Sequence, residues 1–361
     1  MKHSASAILA RAAELSAAFE AAGATRVETD ILQPADTLLD LYGEDIRARA
    51  YVTRDPSDAE MMLRPDFTVP VVLQHMQDGA EPARYAYSGK VFRRQEVNPD
   101  RPREYVQVGY EVFERSNPAQ TDAEVFSVLT GAVAGRGLRP ITGDLGILMA
   151  AIDGLATTER RKAALRRHIW RPARFRSLLD RFGGRVEVPA ARAAVVAGNQ
   201  PRPDAPLVGL RSQDEIDERI AALRADAAEP FLTRQDMALF DLLLSVTGKM
   251  PEALQALRSL VPQMPTLGAA VGRLSDRIDA LGARGCDVDQ LEFSATYGRT
   301  TMEYYDGFVF GLYAPDAPGG PPVVSGGRYD ALTARLGQGK SIPAVGGIVR
   351  PDLLLAAEVQ P

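Results

Sequence analysis

At 361 residues, with 45% apolar and 25% charged side chains, the sequence has the composition of an ordinary globular protein, long enough for one large domain carrying an insertion or for two domains. A net charge of −5 and a single cysteine, Cys286, exclude an overall basic field for nucleic acid or anionic membranes, and any intramolecular disulfide. His3, His75 and His168 lack metal-ligand spacing, so no metal and no cofactor are expected, and a reducing cytoplasm fits best.

The N-terminal "SASAILARAAELSAAFEAAGA" is interrupted on a helical period by Arg11, Glu14 and Glu20, which predicts an amphipathic helix ending near Gly23 instead of a signal peptide. From about 26 to 115, runs such as "RARAYVT", "EMMLRP", "RYAYSGKVFRR" and "EYVQVGYEVFE" are short, β-rich and closely spaced. They predict an antiparallel sheet. Thr121 and Glu124 stand at capping-box spacing, so a helix should begin near 121. Residues 156 to 285 carry helical periodicity, in segments such as "TTERRKAALRRHIW" and "SQDEIDERIAALRADA", and read as a mostly helical insertion. Within them "VVAGNQPRPDAPLVG" is a Pro- and Gly-rich loop. Strand patterns return after 286 in "QLEFSATYG", "EYYDGFVFGLY" and "PPVVSGG", which should rejoin the first sheet. The fold class is therefore α+β, with core parts at 1–155 and 286–361 and the insertion at 156–285.

In "EYVQVGYEVFE", alternation sends Val106, Val108, Tyr110 and Val112 to one face, the core face. The other face carries Tyr105, Gln107, Gly109, Glu111 and Phe113. An amide and a carboxylate roughly 13 Å apart could bracket a small zwitterion, or could be solvated groups of a half-exposed strand. Asp66 and Thr68, two apart after Pro65, form either a cradle for an ammonium group or a helix N-cap. Arg93 and Arg94 point to opposite strand faces, so at most one can enter a given pocket. The pair Tyr304–Tyr305 and the run "SGGRYD", with Tyr329 as an aromatic wall and Gly326–Gly327 admitting close backbone approach, strengthen one another. The chain has no Walker loop, no dinucleotide fingerprint and no His or Cys nucleophile arrangement.

Taken in order, "LRPDFT", "KVFRRQEVNPDRPREYVQVGYEVFE", "EYYDG" and "SGGRYDAL" resemble the class II catalytic core of histidyl-tRNA synthetase. The resemblance implies an antiparallel sheet flanked by helices, and a histidine pocket. Asp66, Thr68 and Gln107 would take the α-amino group, and Glu111 and Tyr305 the imidazole. Tyr304 and Tyr329 would line the pocket, and Arg93 would be the motif 2 arginine.

The chain also departs from that pattern. Before the tyrosines it reads Thr300, Thr301, Met302, Glu303 where a synthetase has Arg-Gly-Leu-Asp, so the histidine-specific arginine is replaced and Arg299 is displaced by one residue. Gln95 stands for the motif 2 glutamate, and the motif 3 region reads Arg350, Pro351, Asp352, Leu353 without its phosphate-clamping arginine. Loss of one such donor typically costs about 10²–10³ in rate. With the sequence stopping at Pro361, an anticodon-binding module and tRNA binding are not expected.

A retained histidine pocket with dismantled ATP activation resembles the regulatory subunit family of ATP phosphoribosyltransferase. That resemblance implies no catalytic residue of its own, L-histidine as ligand, and a short-form catalytic subunit as partner at the first step of histidine biosynthesis. A hetero-octamer and a homodimer are implied too, although motif 1 is only loosely recognisable in "ETDILQPADTLL", where Pro34 is out of place. The competing class is a truncated synthetase-like enzyme that activates histidine with ATP, with Arg299 or Arg350 substituting for the lost arginines.

Overall fold

A computed structural model describes residues 3–42, 50–94, 102–199, 209, 211–299, 304–315 and 319–358. Gln95, residues 300–303 and residues 200–208 of the Pro- and Gly-rich loop lie outside them. The helices are α1 (Ala5–Ala21), α2 (Ala35–Tyr42), α3 (Thr68–Asp78), α4 (Pro118–Ala132), α5 (Leu145–Asp153), α6 (Glu159–Arg167), α7 (Pro172–Phe182), α8 (Ala190–Ala197), α9 (Gln213–Ala228), α10 (Arg234–Ser245), α11 (Met250–Leu260), α12 (Gly268–Ala283), α13 (Asp330–Leu336) and α14 (Pro351–Glu358). The strands are β1 (Thr25–Arg26), β2 (Leu32–Pro34), β3 (Val52–Arg54), β4 (Glu60–Leu63), β5 (Ala83–Phe92), β6 (Glu104–Phe113), β7 (Arg139–Asp144), β8 (Thr247–Lys249), β9 (Glu292–Ser294), β10 (Phe308–Tyr313), β11 (Val324–Arg328) and β12 (Ala344–Val349).

Among the described residues a nine-stranded sheet runs β1-β5-β6-β12-β11-β10-β7-β9-β8, and a small sheet runs β2-β4-β3. The long central strands pair antiparallel, as their spacing predicts, while β1 with β5 and β7 with β9 are parallel. The later strands β10 to β12 do rejoin the first sheet, because β12 pairs directly with β6. The segment after α5 is mostly helical, yet its strand β8 pairs with β9 at the sheet edge, and its helices share one apolar cluster with the sheet.

Alternation along β6 divides the core. Val106, Val108, Tyr110 and Val112 join α1 (Leu15, Phe19) and α4 (Phe126, Leu129) in the larger apolar cluster. Phe113 and the flanking Tyr105 join α3 and α13 in the second. Both faces of the strand are thus covered, so the half-exposed alternative does not hold for Gln107 or Glu111, which are 3% and 1% exposed.

Local chemistry sets the helix starts. Ser4 caps α1 by accepting from the Ala7 amide at 3.2 Å, and Gly23, at φ +94°, follows its end. Helix α4 begins three residues before the Thr121–Glu124 box expected for it. Asn117 accepts from the Gln120 amide at 3.2 Å, and Pro118 takes the first helical position, where its missing N–H costs nothing. Thr121 instead donates to the Pro118 carbonyl, and Glu124 accepts from Arg84 and Tyr110.

Beneath the sheet a buried ionic chain joins distant segments. Arg277 of α12 donates to Asp122 of α4 at 2.7 Å and to Asp144 at 2.9 Å, while Arg328 of β11 donates to the other Asp122 oxygen at 2.9 Å. Arg277, Asp122 and Asp144 are each no more than 3% exposed. Removing one partner of such a chain leaves an uncompensated buried charge. Arg277→Ala should therefore lower stability by about 3–5 kcal/mol, the range for breaking a buried ion pair; urea unfolding measures it, and a loss below about 1 kcal/mol would contradict the role given to this chain.

Candidate functional site

A cleft of about 320 Å³ opens over the ends of the central strands. The turn between β4 and α3 supplies Asp66 and Thr68, the end of β5 supplies Arg93, and β6 supplies Tyr105 and Gln107. Tyr304 and Tyr305 enter ahead of β10, Ser325 from β11, and Ile348 and Arg350 from β12 and the residue after it. Six of the eight residues proposed from sequence, Asp66, Thr68, Arg93, Gln107, Tyr304 and Tyr305, therefore line this cleft. The other two, Glu111 and Tyr329, lie behind it.

Glu111 is the centre of that hidden layer. One carboxylate oxygen accepts from the Thr68 hydroxyl at 3.0 Å and from the Tyr87 hydroxyl at 2.9 Å; the other accepts from the Tyr329 hydroxyl at 2.6 Å. Burial pushes its acid group up to about 7, with the hydroxyl donors opposing the rise and Asp66 adding to it. Burial and the neighbouring carboxylate likewise hold the Tyr87 and Tyr329 phenols well above their ordinary range, so both remain donors. The Tyr305 phenol is also raised, first by burial and then by Glu111.

Thr68 was ambiguous between cradle and cap. It opens α3, whose N-cap residue is Phe67 with no side-chain bond; the Thr68 hydroxyl donates its proton to Glu111, while the Asp66 carboxylate accepts from the Val69 amide at 3.5 Å. Burial raises the Asp66 acid group, and the Arg93 charge draws it back down. Arg93 donates from Nε to the Pro65 carbonyl at 2.9 Å, which pins its side chain against the same turn.

Tyr87 is a residue that the sequence reading missed. Its signal lies in Gly109, which is its cross-strand partner; a Cβ there would overlap the Tyr87 ring, so the glycine makes room for a tyrosine lying across the strand to reach Glu111. Gly346, opposite Glu111 on β12, gives the carboxylate the same clearance. By contrast Gly326 and Gly327 do not open a path for ligand. Side chains at these positions would strike Phe310 and Tyr305, so these glycines admit the protein's own rings.

The aromatic wall is braced from outside the sheet. The Tyr304 ring stands 4.9 Å from Tyr305 and 5.9 Å from Tyr329, both edge-on. Trp170, from the helical segment, donates its indole N–H to the Tyr305 carbonyl at 3.2 Å. Arg299 belongs to the same contact: its Nε donates to the Ile169 carbonyl at 2.8 Å and its guanidinium lies over Phe175, away from the cleft wall. Among the described residues no group of three His, Cys, Asp or Glu could hold a metal, and no helix is long and apolar enough to cross a membrane.

The family model described as histidyl-tRNA synthetase matches residues 2–198 and 210–354. Two curated relatives named ATP phosphoribosyltransferase regulatory subunit align over nearly their whole length. The protein from Rhizobium etli strain CIAT 652 is 32% identical over 92% of this chain and 93% of its own, and that from Mesorhizobium japonicum is 30% identical over 96% of each. The chain belongs to the family of ATP phosphoribosyltransferase regulatory subunits. Its fold is similar to that of a Bacillus halodurans protein described as an ATP phosphoribosyltransferase regulatory subunit/histidyl-tRNA synthetase, with TM-score 0.70 at 22% identity over 98% of this chain and 80% of that one. A histidyl-tRNA synthetase from Nostoc sp. PCC 7120 has TM-score 0.65, covering 97% and 70%. This chain thus shares the fold of those synthetase-like structures, with the cleft described above set into its sheet.

The acid group of Glu111 titrates higher in the folded chain than its ordinary value of 4.5. Protons therefore favour the folded state. The stability contributed by this group is fully present below pH 4.5 and is lost as pH rises through about 7. Asp306, pushed up to about 7 by burial and then by Asp330, contributes a fall of the same sign. Glu111→Gln should make the fall shallower without abolishing it. Urea unfolding of both proteins at pH 5 and pH 8 gives the two slopes, and identical slopes would assign the dependence to other groups.

Proposed function

We propose that this chain is the non-catalytic regulatory subunit of an ATP phosphoribosyltransferase in histidine biosynthesis, and that the cleft binds L-histidine. The observation that carries the ligand is Gln107: its side-chain oxygen is buried in the cleft with no donor among the described residues. Buried acceptors are normally satisfied, and the Asp66 carboxylate and the Thr68 hydroxyl line the same cleft. That set calls for a multivalent cationic donor, which an α-ammonium group is. The tyrosine wall of Tyr304 and Tyr305 then faces the imidazole, with Glu111 acting from behind by holding the Tyr329, Tyr87 and Thr68 hydroxyls.

In this reading the synthetase-like parts at 1–155 and 286–361 carry the pocket, and the helical insertion at 156–285 steadies it through Trp170. Arg299, turned against Phe175, supplies no charge to the cleft. Family membership favours a short-form catalytic subunit as partner, with a homodimer and a hetero-octamer as the assemblies and no tRNA. Histidine inhibition would then pass from this cleft to the partner, which requires that histidine bind two states of the complex with different affinity.

Saturating L-histidine should raise the melting temperature, because a ligand that binds only the folded state stabilises it by about 2.7 kcal/mol at a hundredfold excess over its dissociation constant. Gln107→Leu and Asp66→Asn should each reduce the shift. In the complex co-expressed with a catalytic subunit, Gln107→Leu should raise the histidine concentration that halves transferase activity. Unchanged inhibition would place the feedback site elsewhere, and robust histidine-dependent exchange of pyrophosphate into ATP by the purified chain would overturn the non-catalytic reading.

A further inference from the structure

The segments that carry the tyrosine wall continue directly into a second cavity. Tyr304 and Tyr305 line the cleft, while the next two residues, Asp306 and Gly307, line a cavity of about 440 Å³. Asp330, which follows Tyr329, lines that cavity too.

Asp306 joins the two segments. One of its carboxylate oxygens accepts from the Asp330 amide at 3.1 Å and the other from the Ala331 amide at 2.5 Å, while its own amide donates to the Arg328 carbonyl at 3.0 Å. Tyr305 and Tyr329 are therefore held in register by one carboxylate, and Tyr329 carries the hydroxyl from which Glu111 accepts. An ionised acceptor makes a hydrogen bond roughly twice as strong as a neutral one, and protonation turns one of the two oxygens into a hydroxyl. A proton on Asp306 thus weakens the clasp at the amides it holds.

The setting keeps that proton within reach of neutral pH. Burial and then the neighbouring Asp330 carboxylate push the Asp306 acid group up to about 7, while the two amides and Arg328 draw it down. Asp122 of α4, Asp144 ahead of α5, and Arg273, Asp276 and Arg277 of α12 line the same cavity. Asp122 and Asp144 are bonded to Arg277, and Arg328 donates to both Asp122 and Asp330. Among these carboxylates it is Asp330 whose charge opposes the ionisation of Asp306.

We propose that Asp306 is a positioning residue whose protonation sets the strength of histidine binding: ionised, it clasps the segment of Tyr305 to that of Tyr329 and tightens the cleft; protonated, it loosens the clasp and L-histidine binds more weakly. This rests on the histidine reading of the cleft. By linkage, binding of L-histidine expels a proton from Asp306. Folding and binding respond to this proton in opposite senses. Burial of the charge disfavours the ionised form in the folded chain, whereas the clasp made by that form favours the ligand.

Calorimetric titration of L-histidine into the full chain at pH 8 and pH 5, for wild type and Asp306→Asn, separates this role from a purely structural one. Asn is neutral at both pH values, so the ratio of the two affinities isolates Asp306 from the titration of the ligand and of Glu111, which both proteins share. The variant should bind roughly five- to tenfold more weakly at pH 8, the lower part of the usual range for coupling between sites, and within about twofold of wild type at pH 5. The same ratio at both pH values would overturn the proposal and leave Asp306 a support of the fold. Asp330→Asn keeps an oxygen for the Ala344 amide and for Arg328 but removes the opposing charge, so it should move the pH response of histidine affinity to lower pH. An unmoved response would also overturn the proposal, whether or not Asp306→Asn folds. A wild-type chain that binds no L-histidine at either pH would overturn the histidine reading and this proposal with it.

Discussion

A single buried carboxylate organises this molecule. Glu111 is 1% exposed, and among the described residues its hydrogen bonds come from hydroxyls, those of Thr68, Tyr87 and Tyr329. A carboxyl group without those donors would be costly to bury in this position. The three donors come from α3, from β5 and from the residue that precedes α13, so the acid is satisfied only when elements far apart in sequence have docked. Gly109 and Gly346 flank it on the neighbouring registers because any side chain there would collide with Tyr87 or with the carboxylate itself. The strand order, the glycine positions and the tyrosines are thus different expressions of one requirement.

The same requirement explains how the cleft stays shaped. Asp306 follows the tyrosine pair directly and accepts the amides of Asp330 and Ala331 at the start of α13, locking the segment that carries Tyr305 to the one that carries Tyr329. Asp330 in turn accepts from the Ala344 amide and from Arg328, which is tied through Asp122 to Arg277. From the other side, the helical segment fixes Tyr305 through Trp170. The aromatic wall of the cleft is therefore tied in place by contacts that lie behind it.

Much of the architecture was legible in the sequence because it depends on local periodicity. The amphipathic first helix, the closely spaced β-rich runs, the helical stretch after 156 and the return to strands at the end all follow from side-chain spacing. The alternation in β6 placed Val106, Val108, Tyr110 and Val112 on the core face without any knowledge of partners. The start of α4 was misplaced by three residues because Thr121 and Glu124 have the right types and spacing for a box. Their side chains instead meet Pro118, Arg84 and Tyr110, and two of these are brought near only by folding.

What the sequence by itself determined was the set of chemical groups and their order: the acid, amide, hydroxyl, arginine and tyrosine residues of the cleft, and the positions where synthetase-like residues are replaced. Tertiary structure alone decided which of them face outward. It withdrew Glu111 and Tyr329 behind the wall, recruited Tyr87 through a glycine on the adjoining strand, closed both faces of β6, turned Arg299 into the helical segment and set Arg350 over Tyr105. The physical reason is that orientation toward a cavity is fixed by cross-strand register and by the need to satisfy buried polar groups, and both depend on residues remote in the chain.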